Sequence, residues 1–249
     1  MKKIKFRLLL ATMTFLLCAC DSSDDTDTST NEPPNNTDAR NLILPLGASR
    51  VSGNRPAHES YRFELWKELI ENEWAFDFIG TMTDPASYPI VNNMDFDIDH
   101  QGVSGATSAQ ILVNLNSVLE QSGIPDIVLF SSPGGNDILQ GVPYPNAITN
   151  INAIIDTLQE ANPNITIIIE QIAPPNINQA GLQLLLTTVH QDILTIAAQQ
   201  STNTSSVIPV DMFTGFTTAM LADEIHYNQL GAEFIADRYF NVLTTVLEP

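Results

Sequence analysis

Short apolar runs that alternate with amphipathic stretches leave this chain few folds to choose from. Asn41–Leu46, Ala75–Ile79, Asp126–Phe130, Ile165–Ile169 and Val207–Val210 each read as a strand. Ser60–Asn72, Thr107–Gln121, Ala147–Ala161, Gln179–Gln200 and Leu230–Leu247 carry apolar residues at helical spacing, as in Tyr61, Leu65, Trp66, Leu69 and Ile70. Strands alternating with helices predict parallel βαβ units. Strands that are apolar almost throughout predict a sheet covered on both faces. With no internal repeat and no second boundary, the expectation is a single α/β domain over 41–249, a three-layer α/β/α sandwich. In such sheets ligands gather beyond the carboxyl ends of the strands, near the switch in strand order. Chemistry is therefore to be sought where strands end.

Composition narrows the function classes. Of the 249 residues 43% are hydrophobic, enough for a packed core and too many for intrinsic disorder. Ten Lys and Arg stand against 29 Asp and Glu, a formal charge of −19. That balance excludes a nucleic-acid partner, since few bases are available to neutralise phosphates. It equally excludes an electrostatic hold on anionic lipid.

The start of the chain reads as an address. Lys2, Lys3, Lys5 and Arg7 precede an apolar run from Leu8 to Leu17, a secretory signal segment too short for a stable membrane span. It ends in Leu17-Cys18-Ala19-Cys20, which resembles the bacterial lipoprotein box, whose final Cys is lipidated. Ordinary secretion with cleavage near Ala19 is the alternative. Removing 1–19 takes away four bases and no acid, moving the charge from −19 to −23. Residues 20–40 hold no large apolar side chain and read as an acidic tether. The expected organisation is a signal peptide over 1–19, a tether over 20–40 and a folded domain over 41–249. The protein would be exported and lipid-anchored to the cell envelope, periplasmic or on the cell surface. Both cysteines lie before the domain, so it holds neither a disulfide framework nor a thiolate metal site.

Four polar constellations fall where strands end or helices begin. Gly47-Ala48-Ser49 follows the first strand, and Gly47 permits a tight turn that lets the Ser49 hydroxyl stand clear. Alone, Ser49 is as well read as a turn residue or helix cap. Asp223-Glu224-Ile225-His226 precedes the last helix. Its Asp-x-x-His spacing can set a carboxylate beside an imidazole, or it is only a surface turn. Gly134-Gly135-Asn136-Asp137 follows the third strand, where the Asn136 amide can donate to an oxyanion or merely cap the next helix. Gly102-Val103-Ser104-Gly105-Ala106-Thr107 offers a backbone N–H at Gly105 toward developing negative charge.

Together, in this order, these blocks resemble those of the SGNH hydrolases, also called GDSL esterases, over essentially all of 41–249. The resemblance implies a flavodoxin-like sandwich with a five-stranded parallel sheet of order 2-1-3-4-5. It also implies Ser49 as nucleophile, His226 as general base and Asp223 as its orienting carboxylate. The Ser49 N–H, the Gly105 N–H and the Asn136 side chain would form the oxyanion hole, with no metal or organic cofactor. Leu44-Pro45-Leu46-Gly47, Tyr61-Arg62, Phe78-Ile79-Gly80 and Asp99-His100-Gln101-Gly102-Val103-Ser104-Gly105 are most similar to carbohydrate esterase family 3, whose members resemble deacetylases of plant polysaccharides. One position departs: the family's Gly-Asp-Ser is Gly-Ala-Ser here, with Ala48 in the Asp position, which puts the local turn and the activity level in question. Arg50 either covers the turn or reaches a substrate oxygen.

Other candidates read as structural. Asp95-Phe96-Asp97-Ile98-Asp99 alternates like a calcium loop, but His100 stands where Gly is needed and Ala106 where a bidentate Glu is needed, so a solvated acidic loop is expected. His190, His58, Trp66 and Trp74 read as structural, and His100 as either a pocket or a turn residue. The leading expectation is an exported serine esterase for short acyl esters, acetyl first among them, on a small-molecule or polysaccharide substrate. The alternatives are a lipase or thioesterase for longer chains, decided by whether the apolar residues of the loop from Thr81 to Asp99 form an acyl groove or pack inward, and a non-catalytic glycan-binding lipoprotein.

Overall fold

A computed structural model describes residues 41–179 and 181–248. The signal segment, Cys20 and the tether lie outside the described residues. No helix among the described residues is long and apolar enough to cross a membrane.

β1 (Leu42–Gly47) is the organising strand, buried over Ile43–Gly47. Its side chains alternate between two cores, which explains why it reads as one continuous apolar run. Ile43 enters the first core, while Leu44 and Leu46 enter the second. The first core lies under α2 (Arg62–Glu71) and α7 (Gln229–Leu243). The second lies under α3 (Ser108–Ser122), α5 (Tyr144–Ala161) and α6 (Leu182–Gln200). β5 (Ile127–Phe130), β6 (Thr166–Gln171) and β7 (Ser206–Asp211) follow on one side of β1, all parallel, with Ile43 opposite Ile127 and Ile127 opposite Thr166. Each fully buried Ile or Leu of this framework is worth roughly 1.5–3 kcal/mol.

The other side of β1 departs from the expected five strands. Two short strands share it: β2 (Asp77–Phe78) pairs with Leu42 and Ile43, and β4 (Asp99–Gly102) with Leu46 and Gly47. β3 (Met82–Thr83) adds an antiparallel rim on β4. The sheet thus has seven strands. The shared flank occupies the second-strand position of the implied 2-1-3-4-5 order, so that order survives. β4 hides from apolar patterning because its buried residues are polar. The His100 imidazole Nδ1 accepts the Gly102 N–H at 2.9 Å, and the Gln101 carbonyl accepts from the Thr81 hydroxyl at 2.8 Å. Helix α5 begins earlier than expected because Pro145 sits in its first turn, where a missing N–H costs nothing. Two one-turn helices, α1 (Ser49–Ser52) and α4 (Gly135–Leu139), follow β1 and β5.

Candidate active site

All four polar constellations meet beyond the carboxyl ends of β1, β4 and β5, with the Asp223–His226 block tied to the loop after β6 by the Asn176 N–H, which donates to the Glu224 carbonyl at 2.8 Å. A Cβ on Gly47 would lie 2.9 Å from the Ser131 carbonyl oxygen, so only glycine lets β1 close against β5 here. The chain then turns into α1, whose first turn is secured by the Ala48 carbonyl accepting from Val51 at 3.0 Å and Ser52 at 2.9 Å. Ser49 begins this turn. Its Oγ lies 2.9 Å from His226 Nε2, and His226 Nδ1 lies 2.7 Å from Asp223 Oδ2. The other Asp223 oxygen accepts the backbone N–H groups of Ile225 and His226, both at 2.7 Å. Partial burial works against ionisation of Asp223, but bonds donated by His226 and Ile225 hold it down at about 2. An ionised Asp223 fixes the imidazole proton on Nδ1 and frees the Nε2 lone pair for the Ser49 hydroxyl.

Gly105 and Asn136 line the same cleft, of about 870 Å³, as Ser49 and His226. Gly105 has φ +78°, a left-handed conformation, and a Cβ there would meet open space, so the backbone geometry rather than crowding favours glycine. Among the described residues no hydrogen bond engages the N–H of Ser49 or of Gly105. Asn136 donates one amide hydrogen to the Ala106 carbonyl at 2.9 Å, which leaves the second for a ligand. Buried Asp137 grips the start of α3, accepting the Ser108 N–H at 2.8 Å and hydroxyl at 2.7 Å. Asn136 and Asp137 therefore tie the β5 loop to the Gly105 block.

A family model for the GDSL-like lipase/acylhydrolase family matches residues 74–234. The chain belongs to this family. It is a carboxylic ester hydrolase of the GDSL type. No curated protein sequence matches it. Among solved structures it is similar to an acetyl esterase variant crystallised with acetate ion, at 27% identity over 82% of this chain and 97% of the other, with a TM-score of 0.71. A carbohydrate esterase family 3 structure from Talaromyces cellulolyticus gives the same identity, coverages and TM-score. The family 3 carbohydrate esterase of Clostridium thermocellum is 25% identical over 84% of this chain and 99% of the other, with a TM-score of 0.67.

In this acylhydrolase, Arg50 is a brace. Its side chain is buried and lies 4.7 Å from the Tyr227 ring centroid. Nε and Nη2 donate to the Ile225 carbonyl at 3.0 and 2.7 Å, and Nη1 to the Ala173 carbonyl at 2.8 Å. The guanidinium thus ties the Ser49 turn to the loop bearing His226. Ala48 and Ser49 also line a small apolar niche of about 50 Å³, together with Ile172, Leu182, Leu186 and Ile225.

Sequence reasoning missed two contributors. The His58 ring stacks on His226, with centroids 4.0 Å apart and 15° between planes. Burial first, then the neighbouring His226, lowers the His58 pKa, which keeps its ring uncharged against the imidazole it covers. Nothing in Asn54-Arg55-Pro56-Ala57-His58 signals that role, because it arises from a bridge between Glu59 and Tyr227. Glu170, fully buried at the end of β6, accepts the Ser132 N–H at 2.7 Å and the Tyr239 hydroxyl at 2.7 Å. It anchors the loop that carries Asn136.

The remaining candidates lie elsewhere. His190 is structural, its Nε2 3.0 Å from the Ile172 carbonyl and its ring stacked on Phe213. His100 does both expected things, bonding its turn and lining the cleft. The 81–99 loop is not an acyl groove. Phe96 is buried against Phe63 and Trp66, Tyr88 packs on both Phe63 and Phe96, and of the loop's larger apolar residues only Met82 reaches the cleft. Nor is Asp97 solvated: it accepts the N–H of Phe78 at 2.7 Å and of Asp99 at 3.2 Å, and burial pushes its carboxyl up to about 7. The loop is lashed down further by buried Asp84, which pairs with Arg62 at 2.8 Å and accepts the Tyr88 hydroxyl at 2.7 Å.

Proposed function

We propose that this protein hydrolyses short-chain acyl esters, acetyl above all, on carbohydrate, through Ser49, His226 and Asp223. The observation that carries the reading is the continuous line from Ser49 Oγ to His226 Nε2 at 2.9 Å and from Nδ1 to Asp223 at 2.7 Å, opening onto a cleft. His226 takes the Ser49 proton as Oγ bonds to the ester carbon, and the carbonyl π pair moves onto its oxygen. The Ser49 and Gly105 N–H groups and the free Asn136 amide hydrogen receive that charge. Each such donor is typically worth about 10²–10³ in rate. Collapse breaks the bond to the sugar oxygen, which takes the proton from His226. Water then loses a proton to His226 as it attacks the acyl-enzyme, and the second collapse releases the acid and returns the proton to Ser49.

The acetyl preference rests on the niche beside Ser49. About 50 Å³ of apolar space suits a few heavy atoms beyond the carbonyl, far short of a fatty chain. The carbohydrate leaving group is suggested by the larger cleft and by the similarity to carbohydrate esterases. Export with a lipid on Cys20 rests on the basic start, the apolar run and the Leu17–Cys20 motif. The test is hydrolysis of p-nitrophenyl acetate beside p-nitrophenyl octanoate, with Ser49→Ala as control. Acetate turnover that vanishes in a folded Ser49→Ala protein, with octanoate poor, is the expected result. Equal rates in that variant would remove Ser49 from the reaction, and turnover of neither ester by folded protein would favour a glycan binder.

A further inference from the structure

Beside the catalytic cleft lies a second cavity of about 430 Å³, between α3 and the ends of β1 and β4. Val103, Ser104 and Gly105 line both, so the two spaces share a wall at the Gly105 block. The lining contains no charged side chain, although the chain carries 29 Asp and Glu.

Along it α3 presents Gln110, Asn114, Ser117 and Gln121, all exposed. Steps of three and four residues place them in one row, and a rise of 1.5 Å per residue makes that row about 16 Å long. Beside them, half-buried Ile111 and exposed Val103 supply an apolar floor backed by Leu115 and Val118. The amides are held at one end. Gln110 Oε1 accepts the Thr107 N–H at 2.9 Å, Asn114 donates to the Gln110 carbonyl at 2.8 Å, and Gln121 donates to the Ser117 hydroxyl at 2.7 Å. Each keeps further donor or acceptor capacity.

We infer that this groove binds a neutral glycan chain, seating sugars that flank the ester held at Ser49. Sugar hydroxyls both donate and accept, as amides do, and the faces of the rings are apolar like the floor. An anionic glycan would meet the field of a −19 chain with no cation in the groove to offset it. A protein partner would need about 800 Å² of complementary surface, far more than a groove along a row of about 16 Å offers. The assignment of the occupant rests on the carbohydrate-ester reading; the groove itself does not.

The experiment compares the full chain with an Asn114→Ala/Gln121→Ala double variant. Both positions are exposed, and Ala favours the helix, so folding should hold. Substrates are p-nitrophenyl acetate and acetylated xylo-oligosaccharides of increasing length. For the parent, kcat/KM should climb with length over several sugars. In the double variant that gain should fall by about tenfold, through KM, with p-nitrophenyl acetate turnover unchanged. A length gain intact in the double variant, or missing from a parent that hydrolyses p-nitrophenyl acetate, overturns the groove. Failure of the esterase reading shows separately, as no turnover of p-nitrophenyl acetate. In that case calorimetry with unacetylated xylo-oligosaccharides decides: binding lost in the double variant supports the groove, and no binding or equal binding sinks it.

Discussion

Replacing Arg50 with Lys separates a brace from a substrate contact. The guanidinium makes three hydrogen bonds, two to the Ile225 carbonyl and one to that of Ala173. A lysine ammonium is a compact charge that cannot span both carbonyls from the same stem. At least one bond to Ile225 is lost, and with it one arm of the link between the Ser49 turn and the His226 loop. A hydrogen bond to a charged group contributes about 1.5–3 kcal/mol. Ile225 is only half-buried, so water can take over part of the role; the expected net loss of stability is about 1–2 kcal/mol. The effect on turnover works through position, since misplacing a catalytic group by about 1 Å costs on the order of 10²-fold. Steady-state kinetics on p-nitrophenyl acetate should show kcat of Arg50→Lys down by about 10–100-fold with KM nearly flat, beside a urea melt confirming a folded protein. A folded variant with kcat within about twofold of the parent would refute the brace. A raised KM at constant kcat would instead return Arg50 to the substrate.

Three further outcomes are expected. Asn136→Ala should lower kcat by about 10²–10³ with little change in KM, because its free amide hydrogen faces charge present only in the transition state; unchanged kinetics would take Asn136 out of the oxyanion hole. Leu186→Ala should raise turnover of p-nitrophenyl butyrate relative to acetate by about tenfold by deepening the niche, and an unaltered ratio would place the acyl chain elsewhere. The half-buried Asp97 carboxyl, raised to about 7, keeps its proton in the folded chain where the unfolded chain, near 3.9, has released it. Its contribution to stability is therefore lost as pH rises from about 4 to about 7. In Asp97→Asn the fall in thermal midpoint between pH 5 and pH 8 should shrink by a few degrees; an equal fall would mean that Asp97 is ionised in the fold.

Periodicity made the framework legible. Strands such as Ile165–Ile169 and helices such as Thr107–Gln121 bury whole faces, and burial leaves its mark on residue type. Ser49, Asp223 and His226 were legible as candidates for another reason, since each lies in a short polar block beside an apolar element. What stayed hidden depends on tertiary partners. β4 is built from Asp99, His100, Gln101 and Gly102, whose polar groups are satisfied by the turn and by Thr81 rather than by an alternating pattern. Helices α1 and α4 are single turns flanked by glycine, too short for a period to register. The stacking of His58 on His226 joins two loops that only the finished fold brings together. Arg50 was visible as a residue but not as a brace, because its partners are main-chain carbonyls, which no sequence pattern marks.

The flank of β1 divided between β2 and β4 leaves the stretch from Gly80 to Ile98 as an excursion between two pairings of one strand, pinned into the first core by Phe96. β1 is paired through Leu42 and Ile43 before that stretch begins and through Leu46 and Gly47 after it ends, so its length does not alter the register of the sheet. Met82 to Ala86, which wall one side of the catalytic cleft, all belong to it. The cleft wall can therefore be varied within this excursion without disturbing the sheet, provided that Asp84 remains to meet Arg62, Phe96 to pack on Phe63 and Trp66, and Asp97 to meet Phe78. The small apolar niche lies among Ile172, Leu182, Leu186 and Ile225, and Ile225 lines the larger cleft as well, so a change at Ile225 is felt in both spaces while one at Leu182 or Leu186 is confined to the niche.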